Sequence, residues 1–137
     1  MPESATEQSS TGRCMCGAVT FTVAGELRPV VNCHCHRCRR WSGHYWAASA
    51  AAADTLEVAD RDATLRWFSP TDGVEYGFCA TCGSSLFWRL SNRPDLVSIS
   101  AGCLDQPTGL HTAAQIWMTE HGDYHPPLPD LVEHEYD

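Results

Sequence analysis

The chain has 137 residues, a formal net charge of −8 and 43% hydrophobic residues. This length and apolar content suffice for one domain with a modest core, while the negative charge makes the chain a poor binder of nucleic acid or anionic membranes. The most apolar stretch, residues 46–53, is far shorter than the ~20 residues needed to cross a bilayer. We therefore expect no nucleic-acid partner and no membrane partner.

The elements predicted in chain order are short. Residues 1–11, rich in Ser, Thr and Glu, are expected to be a disordered lead-in. This segment has no apolar stretch typical of a secretion signal, so we expect a cytoplasmic protein whose thiols stay reduced. Apolar residues then alternate over 18–23, with Val19, Phe21 and Val23 on one face, which predicts a strand. Further strands are predicted over 30–33, 45–49, 56–58, 64–68, 75–78, 86–89, 96–99 and 114–117, with one helical turn over 36–41.

These many short strands, without a long amphipathic helix, predict a mainly β and mostly antiparallel fold. We expect a single zinc-binding domain over 12–125 and an acidic tail over 126–137. The sequence leaves the oligomeric state open.

Seven of the eight cysteines fall into three tight clusters, which are Cys14 and Cys16, then Cys33, Cys35 and Cys38, then Cys79 and Cys82. Packing does not require thiols at these spacings, whereas a tetrahedral metal ion needs soft ligands that converge in this way. Seven clustered thiols exceed the four ligands of one ion. We therefore predict two zinc ions per chain.

The clusters divide into a set of four and a set of three. The two that end in Cys-Gly, with Cys14, Cys16, Cys79 and Cys82, form the preferred closed structural site. In the segment after Cys79, the glycine at 83 permits a positive φ where the chain curls around the ion. Cys33, Cys35 and Cys38 remain for a second site with an open position, and Cys103 stands apart.

Three other uses of the cysteines stay open on spacing alone. The thiols could form disulfides, or ligate an iron–sulfur cluster. The second zinc site could also be structural, with His34, His36 or Cys103 as its fourth ligand, since histidine binds zinc as well as cysteine does.

Four motifs carry a resemblance to a known family. They are Gly12-x-Cys14-x-Cys16-Gly17-x-Val19-x-Phe21, Cys33-His34-Cys35-x-x-Cys38-Arg39-Arg40, Phe78-Cys79-x-x-Cys82-Gly83-x-x-Leu86 and Ala101-Gly102-x-Leu104-Asp105-x-Pro107. In order and spacing they resemble the glutathione-dependent formaldehyde-activating enzyme family, which includes centromere protein V. The resemblance implies a β-tent zinc fold similar to methionine sulfoxide reductase B. It also implies a structural zinc on the set of four cysteines and a catalytic zinc on the set of three.

The family's founding activity implies a zinc-dependent enzyme of the carbon–sulfur lyase type. It would act on a thiol/aldehyde adduct, such as S-hydroxymethylglutathione formed from glutathione and formaldehyde. The alternative is a non-catalytic zinc module that mediates protein interaction. The chain departs from the family pattern at Cys103, where members often carry Thr or Ser, and after Trp117, where a Trp-containing end segment is expected.

Charged residues around the second cluster are candidates for substrate contacts. Arg37, Arg39 and Arg40 flank it, and we predict that Arg39 and Arg40 bind the carboxylates of glutathione, with screening of the thiolates as the alternative role. His34 and His36 are candidates for proton transfer, with a structural role as the alternative. Because three thiolates already neutralise zinc, we expect the site to deliver a thiol rather than to activate a carbonyl.

Overall fold

The computed structural model describes residues 9–137, so the predicted lead-in falls almost entirely outside the described residues. Within them the chain forms one short α-helix, α1 (His36–Ser42), and eleven strands. The strands are β1 (Ser10–Arg13), β2 (Thr20–Val23), β3 (Val30–Cys33), β4 (Trp46–Ala52), β5 (Leu56–Ala59), β6 (Leu65–Thr71), β7 (Val74–Cys79), β8 (Ser85–Leu90), β9 (Leu96–Ser100), β10 (Thr112–Ile116) and β11 (Val132–Glu133). Short 3₁₀ turns follow at Ala53–Thr55, Ala101–Cys103 and Met118–Glu120.

The strands form two sheets. A three-stranded sheet has the order β1-β2-β5, and an eight-stranded sheet has the order β11-β10-β3-β4-β9-β8-β7-β6. All pairs are antiparallel except those that β10 makes with β3 and β11, which are parallel. The prediction of a mainly β, mostly antiparallel fold is therefore confirmed.

The main core joins the two sheets through apolar side chains. In β2, Phe21 and Val23 are buried, as the alternating pattern predicted. Phe21 meets Phe87 of β8 edge-on, with ring centroids 5.3 Å apart. Burying a side chain of this size contributes about 2 kcal/mol. A second, smaller cluster around Trp46 and Tyr76 lies on the other side of the large sheet, beside Cys38.

Strands extend beyond the predicted domain of residues 12–125 at both ends. Strand β1 begins at Ser10, two residues before the predicted start of the domain. The predicted acidic tail contains β11, which pairs with β10 in parallel, and its last residues bond to the segment after β10. Tyr136 O accepts a hydrogen bond from the N–H of Trp117 at 2.8 Å. The predicted tail is therefore part of the edge of the eight-stranded sheet. Its backbone hydrogen bonds hold it there despite its acidic composition.

Among residues 9–137, no helix has both the length and the apolar character that a membrane span needs.

Candidate functional site

Four thiols from distant parts of the chain meet at one end of the core. The Sγ atoms of Cys14, Cys16, Cys79 and Cys82 all lie within 4.8 Å of one another. Cys16 Sγ is 3.7 Å from Cys14 Sγ and 3.8 Å from Cys79 Sγ. Four thiolates placed about 2.3 Å from a tetrahedral zinc ion lie about 3.8 Å apart. The set therefore fits the metal geometry that its spacing predicted.

Two tight turns hold these thiols in place, and each turn ends in glycine. Gly17 follows Cys16 with φ of 82°, and Gly83 follows Cys82 with φ of 80°. Residues with a Cβ atom rarely adopt this region. The N–H of Gly83 donates to Cys79 O at 2.7 Å and closes the second turn. The positive φ predicted for Gly83 is confirmed.

Polar groups beside Cys14 and Cys82 stabilise negative charge on these two sulfurs. The N–H of Val19 donates to Cys14 Sγ at 3.3 Å. Burial opposes ionisation of Cys82, but hydrogen bonds from the Ser84 hydroxyl and from backbone N–H groups outweigh it and lower the pKa of this thiol to about 5. The Ser84 Oγ atom lies 3.2 Å from the sulfur. This environment suits thiolates that ligate a cation.

The second set consists of three thiols around the start of α1. Cys33 ends β3, Cys35 caps the helix, and Cys38 lies in its first turn. Their Sγ atoms also lie within 4.8 Å of one another. The N–H of Cys38 points at Cys35 Sγ, at 3.4 Å. Three convergent thiols can hold a metal ion and leave one of four tetrahedral positions to another ligand.

Within residues 9–137, none of the predicted fourth ligands closes this second set. His34 Nε2 donates instead to Gln115 Oε1 at 2.9 Å, and His36 Nδ1 pairs with Glu120 Oε1 at 3.1 Å. Cys103 Sγ lies against Ser85 O, at 3.4 Å. All eight cysteines fall in this range, and each is free of a disulfide.

The three thiols share protons unequally when no cation is present. Hydrogen bonds from the thiols of Cys33 and Cys38 lower the pKa of Cys35 to about 2. The hydrogen bond to Cys35 raises the pKa of Cys33 to about 12, and the contacts with both neighbours raise that of Cys38 as well. One thiolate is therefore held by two thiols, because like charges this close cannot coexist without a cation.

A cavity of about 570 Å³ opens beside the second set, and Cys33 and Cys38 lie in its wall. Besides smaller and aliphatic residues, the wall contains four aromatic residues, four arginines and one acid, which are Trp46, Tyr76, Trp88, Trp117, Arg28, Arg37, Arg89, Arg93 and Asp137. This size is typical of a small-molecule site.

The arginines of the cavity differ in how far they are already engaged. Arg89 pairs with Glu75 at 2.7 Å, and Arg93 lies 3.3 Å from an Asp95 oxygen. Arg28 donates to the main-chain oxygen of Ala48 at 2.8 Å. The side chain of Arg37, which precedes Cys38 in sequence, has no hydrogen bond or ion pair to any residue between 9 and 137. Arg37 is thus the arginine most available to a ligand's carboxylate.

The predicted carboxylate ligands, Arg39 and Arg40, do not line this cavity. Arg39 Nε donates to Glu120 O at 2.8 Å and ties the helix to the chain after β10, while Arg40 is exposed. The structure instead brings Arg28, Arg89 and Arg93 to the site, from strands and loops far away in sequence. Their positions in the sequence did not indicate a role at this site, because only the order of strands in the sheet places them near the cysteines.

Tyr76 is a further site residue that sequence reasoning missed. It is 5% exposed and belongs to the same buried cluster as Cys38. Burial and the neighbouring thiols of Cys38 and Cys35 raise the pKa of its hydroxyl. The side chain therefore stays protonated and can donate a hydrogen bond into the cavity wall beside the sulfurs.

The predicted acid–base residue His34 is fully buried and is not among the residues that line the cavity. Its ring lies against that of His125, with centroids 4.3 Å apart, and His125 Nδ1 is 3.1 Å from His44 Nε2. Burial lowers the pKa of both His34 and His125. His36, the other candidate, is exposed and also lies outside the cavity wall.

Comparison with known proteins gives a family profile, two curated relatives and one solved structure. The profile of the glutathione-dependent formaldehyde-activating enzyme family matches residues 9–120. A Halomonas elongata protein that carries the family's name is 35% identical over 102 residues, which cover 69% of this chain and 64% of the relative. The match thus spans less than two thirds of that relative's length. An uncharacterised lyase of Schizosaccharomyces pombe is 23% identical over 113 residues, or 82% of this chain and 80% of the relative.

A crystal structure of a Rhodobacter sphaeroides protein shares the fold, with a TM-score of 0.61 and 24% identity over 74% of this chain and 97% of the other. The family profile covers well over half of the chain, including all seven clustered cysteines. The chain belongs to the glutathione-dependent formaldehyde-activating enzyme family.

Proposed function

We propose that this protein is a zinc-dependent enzyme of the carbon–sulfur lyase type that joins a thiol to an aldehyde. Glutathione and formaldehyde, which would give S-hydroxymethylglutathione, are the proposed substrates. One observation carries the proposal: a set of three thiols opens onto a cavity of about 570 Å³ that is rich in arginine. A purely structural site has no need of an adjacent cavity.

The cysteines fit zinc at both sets. The sulfur separations of 3.7 and 3.8 Å in the first set match a closed zinc tetrahedron. The second set supplies three ligands, so the proposal includes two zinc ions per chain. When bound in the second set, zinc supplies positive charge that stabilises a thiolate at neutral pH.

The residues of the cavity would bind and orient the substrates. Arg37 would donate two parallel hydrogen bonds to a carboxylate of glutathione, and Arg28 would add positive charge in the same cavity. Trp46 and Trp88 exclude water from the reacting atoms. The proposal thus assigns carboxylate binding to Arg37 in place of Arg39 and Arg40.

The reaction itself needs one bond and one proton. The substrate thiol first loses its proton to solvent water. Its sulfur then attacks the aldehyde carbon, the carbon–sulfur bond forms as the carbonyl π bond breaks, and the oxygen that receives this electron pair takes a proton from solvent water. Tyr76, protonated and beside Cys38, would donate a hydrogen bond to that oxygen as its charge develops. His34 and His36, which lie outside the cavity wall, have no part in this scheme.

The proposal also covers the cellular compartment, the likeness to another fold and the competing function. A reducing compartment such as the cytoplasm would keep the thiols available to metal. The likeness to methionine sulfoxide reductase B stays a prediction. The competing function is a non-catalytic zinc module that mediates protein interaction, in which the cavity would take no thiol.

The test measures by NMR the rate at which formaldehyde and glutathione exchange with their adduct, in the wild type and in two serine variants. An exchange measurement is needed because the uncatalysed addition is already easy, so the catalysed rate must be compared with the rate in buffer alone. We expect the wild type to accelerate exchange above the buffer rate and Cys38→Ser to abolish the acceleration. Cys103→Ser is the matched control, since this thiol belongs to neither metal set, and it should keep the wild-type rate. If Cys38→Ser accelerated exchange as much as the wild type does, the assignment of the second thiol set as the catalytic site would be refuted. If the wild type did not accelerate exchange, the non-catalytic interaction module would be favoured.

A further inference from the structure

The arginine-rich cavity has one acidic side chain in its wall. Asp137 carries the single acidic side chain among the described residues that line it, together with four arginines. It comes from the tail after β11, about a hundred residues away from the second thiol set in sequence. An acid in such a wall weakens the binding of an anion, so a site for simple carboxylates gains nothing from it.

The carboxylate is held in a defined position. Trp117 Nε1 donates to Asp137 Oδ1 at 3.2 Å, and the N–H of Trp117 bonds to the oxygen of the preceding Tyr136 at 2.8 Å. The rings of Trp117 and Tyr136 meet edge-on, with centroids 5.4 Å apart. Parallel pairing of β11 with β10 fixes the segment further back. One carboxylate oxygen is thus engaged by the indole, which leaves Oδ2 for another donor.

No arginine between residues 9 and 137 forms an ion pair with this carboxylate, although Arg28 is close enough to be affected by its charge: burial lowers the pKa of Arg28, and Asp137 partly offsets this. Among residues 9–137, the ion pairs of the cavity arginines join Arg89 to Glu75 and Arg93 to Asp95, and none reaches Asp137 within 4.0 Å. Arg37 is without an ion-pair partner in the same range. Among residues 9–137, the cavity therefore presents two arginines without an ion pair, Arg28 and Arg37, one carboxylate without an ion pair, and the open side of a thiol set. Arg28 is already bonded to the main-chain oxygen of Ala48, so Arg37 is the cation left for a ligand.

A ligand that satisfies all three features carries a thiol, a carboxylate and an ammonium group. We propose that Asp137 binds the ammonium group of the substrate, so that the site selects thiols with a free amino group; this inference rests on the proposed function. Arg37 takes the carboxylate, and the thiol faces Cys33 and Cys38. Amino acid thiols and γ-glutamyl peptides belong to this class, whereas N-acylated thiols and simple mercapto acids do not.

The test measures binding rather than turnover. The zinc-loaded protein is titrated with S-methylglutathione and with its N-acetyl derivative, which differ in the ammonium group and cannot bind metal through a thiolate. The quenching of tryptophan fluorescence reports binding, since Trp46, Trp88 and Trp117 line the cavity. We expect the wild type to bind the free amine about fivefold more tightly, as a partly exposed ion pair allows.

Asp137→Asn should bind both probes with equal affinity, while Asp130→Asn should keep the wild-type preference. Asp130 lies in the same exposed tail but outside the cavity wall, so this control removes the same charge without removing the contact. An unchanged preference in Asp137→Asn, equal affinities in the wild type, or no binding of either probe would overturn the inference.

A parallel exchange assay with glutathione and formaldehyde separates this inference from the proposed function. A preference for the free amine without acceleration of exchange refutes the proposed reaction and leaves the ligand class standing. Acceleration with equal affinities for the two probes refutes the role of Asp137 and leaves the reaction standing.

Discussion

Replacing one cysteine of each metal set by serine should affect the fold very unequally. Cys82→Ser removes a ligand of the closed set, which joins the start of the fold to its middle across the 62 residues between Cys16 and Cys79. Cys38→Ser removes a ligand of the open set, where only four residues lie between Cys33 and Cys38. The first clamp limits the freedom of a long loop, and the second limits a short one.

The loop lengths set the size of the difference. The entropy of loop closure grows as 1.5 RT times the logarithm of loop length, so the longer loop contributes about 2 kcal/mol more to stability when it is clamped. For a domain of this size that corresponds to a melting temperature about 7 °C lower for Cys82→Ser than for Cys38→Ser. The value is a lower bound, because the fully buried Cys14 and Cys79 of the closed set also lose core packing when the ion leaves.

Thermal unfolding and elemental analysis of the two purified variants check this. Cys38→Ser should remain folded with one zinc ion per chain, and Cys82→Ser should melt far lower or fail to stay soluble. Equal destabilisation by both substitutions would mean that the second set is structural as well, and the interaction module would then lead.

Three further predictions follow from the protonation states and contacts of the site. Because Cys33 and Cys38 keep their protons at pH 7, filling the second set should release about two protons per zinc; calorimetry in buffers of different ionisation enthalpy measures this, and release of none would contradict it. Tyr76→Phe should slow the catalysed exchange about 100-fold at unchanged zinc content, and an unchanged rate would exclude the hydroxyl. Since burial lowers the pKa of His125, the unfolded chain binds a proton near pH 6.5 that the folded chain does not. The free energy of unfolding should therefore fall as the pH drops from 7 to 5. The fall should be less steep in His125→Gln than in the wild type or in the exposed control His111→Gln, and equal slopes in all three proteins would refute this.

Local patterns in the sequence predicted most of the strands and the partition of the cysteines. The alternation of Phe21 and Val23 with threonines marks β2, and the predicted strand over 30–33 coincides with β3. The cysteines that could hold metal ions were equally predictable, because the tight turns before Gly17 and Gly83 leave a signature of a few adjacent residues. Such features depend on neighbours in the chain, which the sequence displays directly.

The wall of the cavity could not be predicted, because it depends on the order of strands in the large sheet. Arg28 precedes β3, Tyr76 lies in β7 and Arg89 in β8, and only the sheet brings them beside Cys38. The prediction that Arg39 and Arg40 bind substrate relied on sequence proximity alone. Along α1 neighbouring side chains point in different directions, and of the three arginines only Arg37 faces the cavity.

The role of residues 126–137 could not be predicted from the sequence either, because it also depends on contacts with distant strands. Its prolines and acids predicted an acidic tail over 126–137, whereas Val132–Glu133 pairs with β10 and Asp137 reaches the cavity. A strand of two residues is too short to produce a recognisable alternation, since its existence depends on an unpaired edge elsewhere.

The central claim is that the three-thiol set holds a zinc ion with one ligand position open to the cavity. Anomalous diffraction at the zinc edge, on crystals of the protein purified without added metal, tests it most directly. We expect two zinc peaks, one within four sulfurs and one bound by Cys33, Cys35 and Cys38 with a non-protein ligand on the cavity side. A single peak at the first set, or a second ion closed by a fourth protein side chain, would contradict the account.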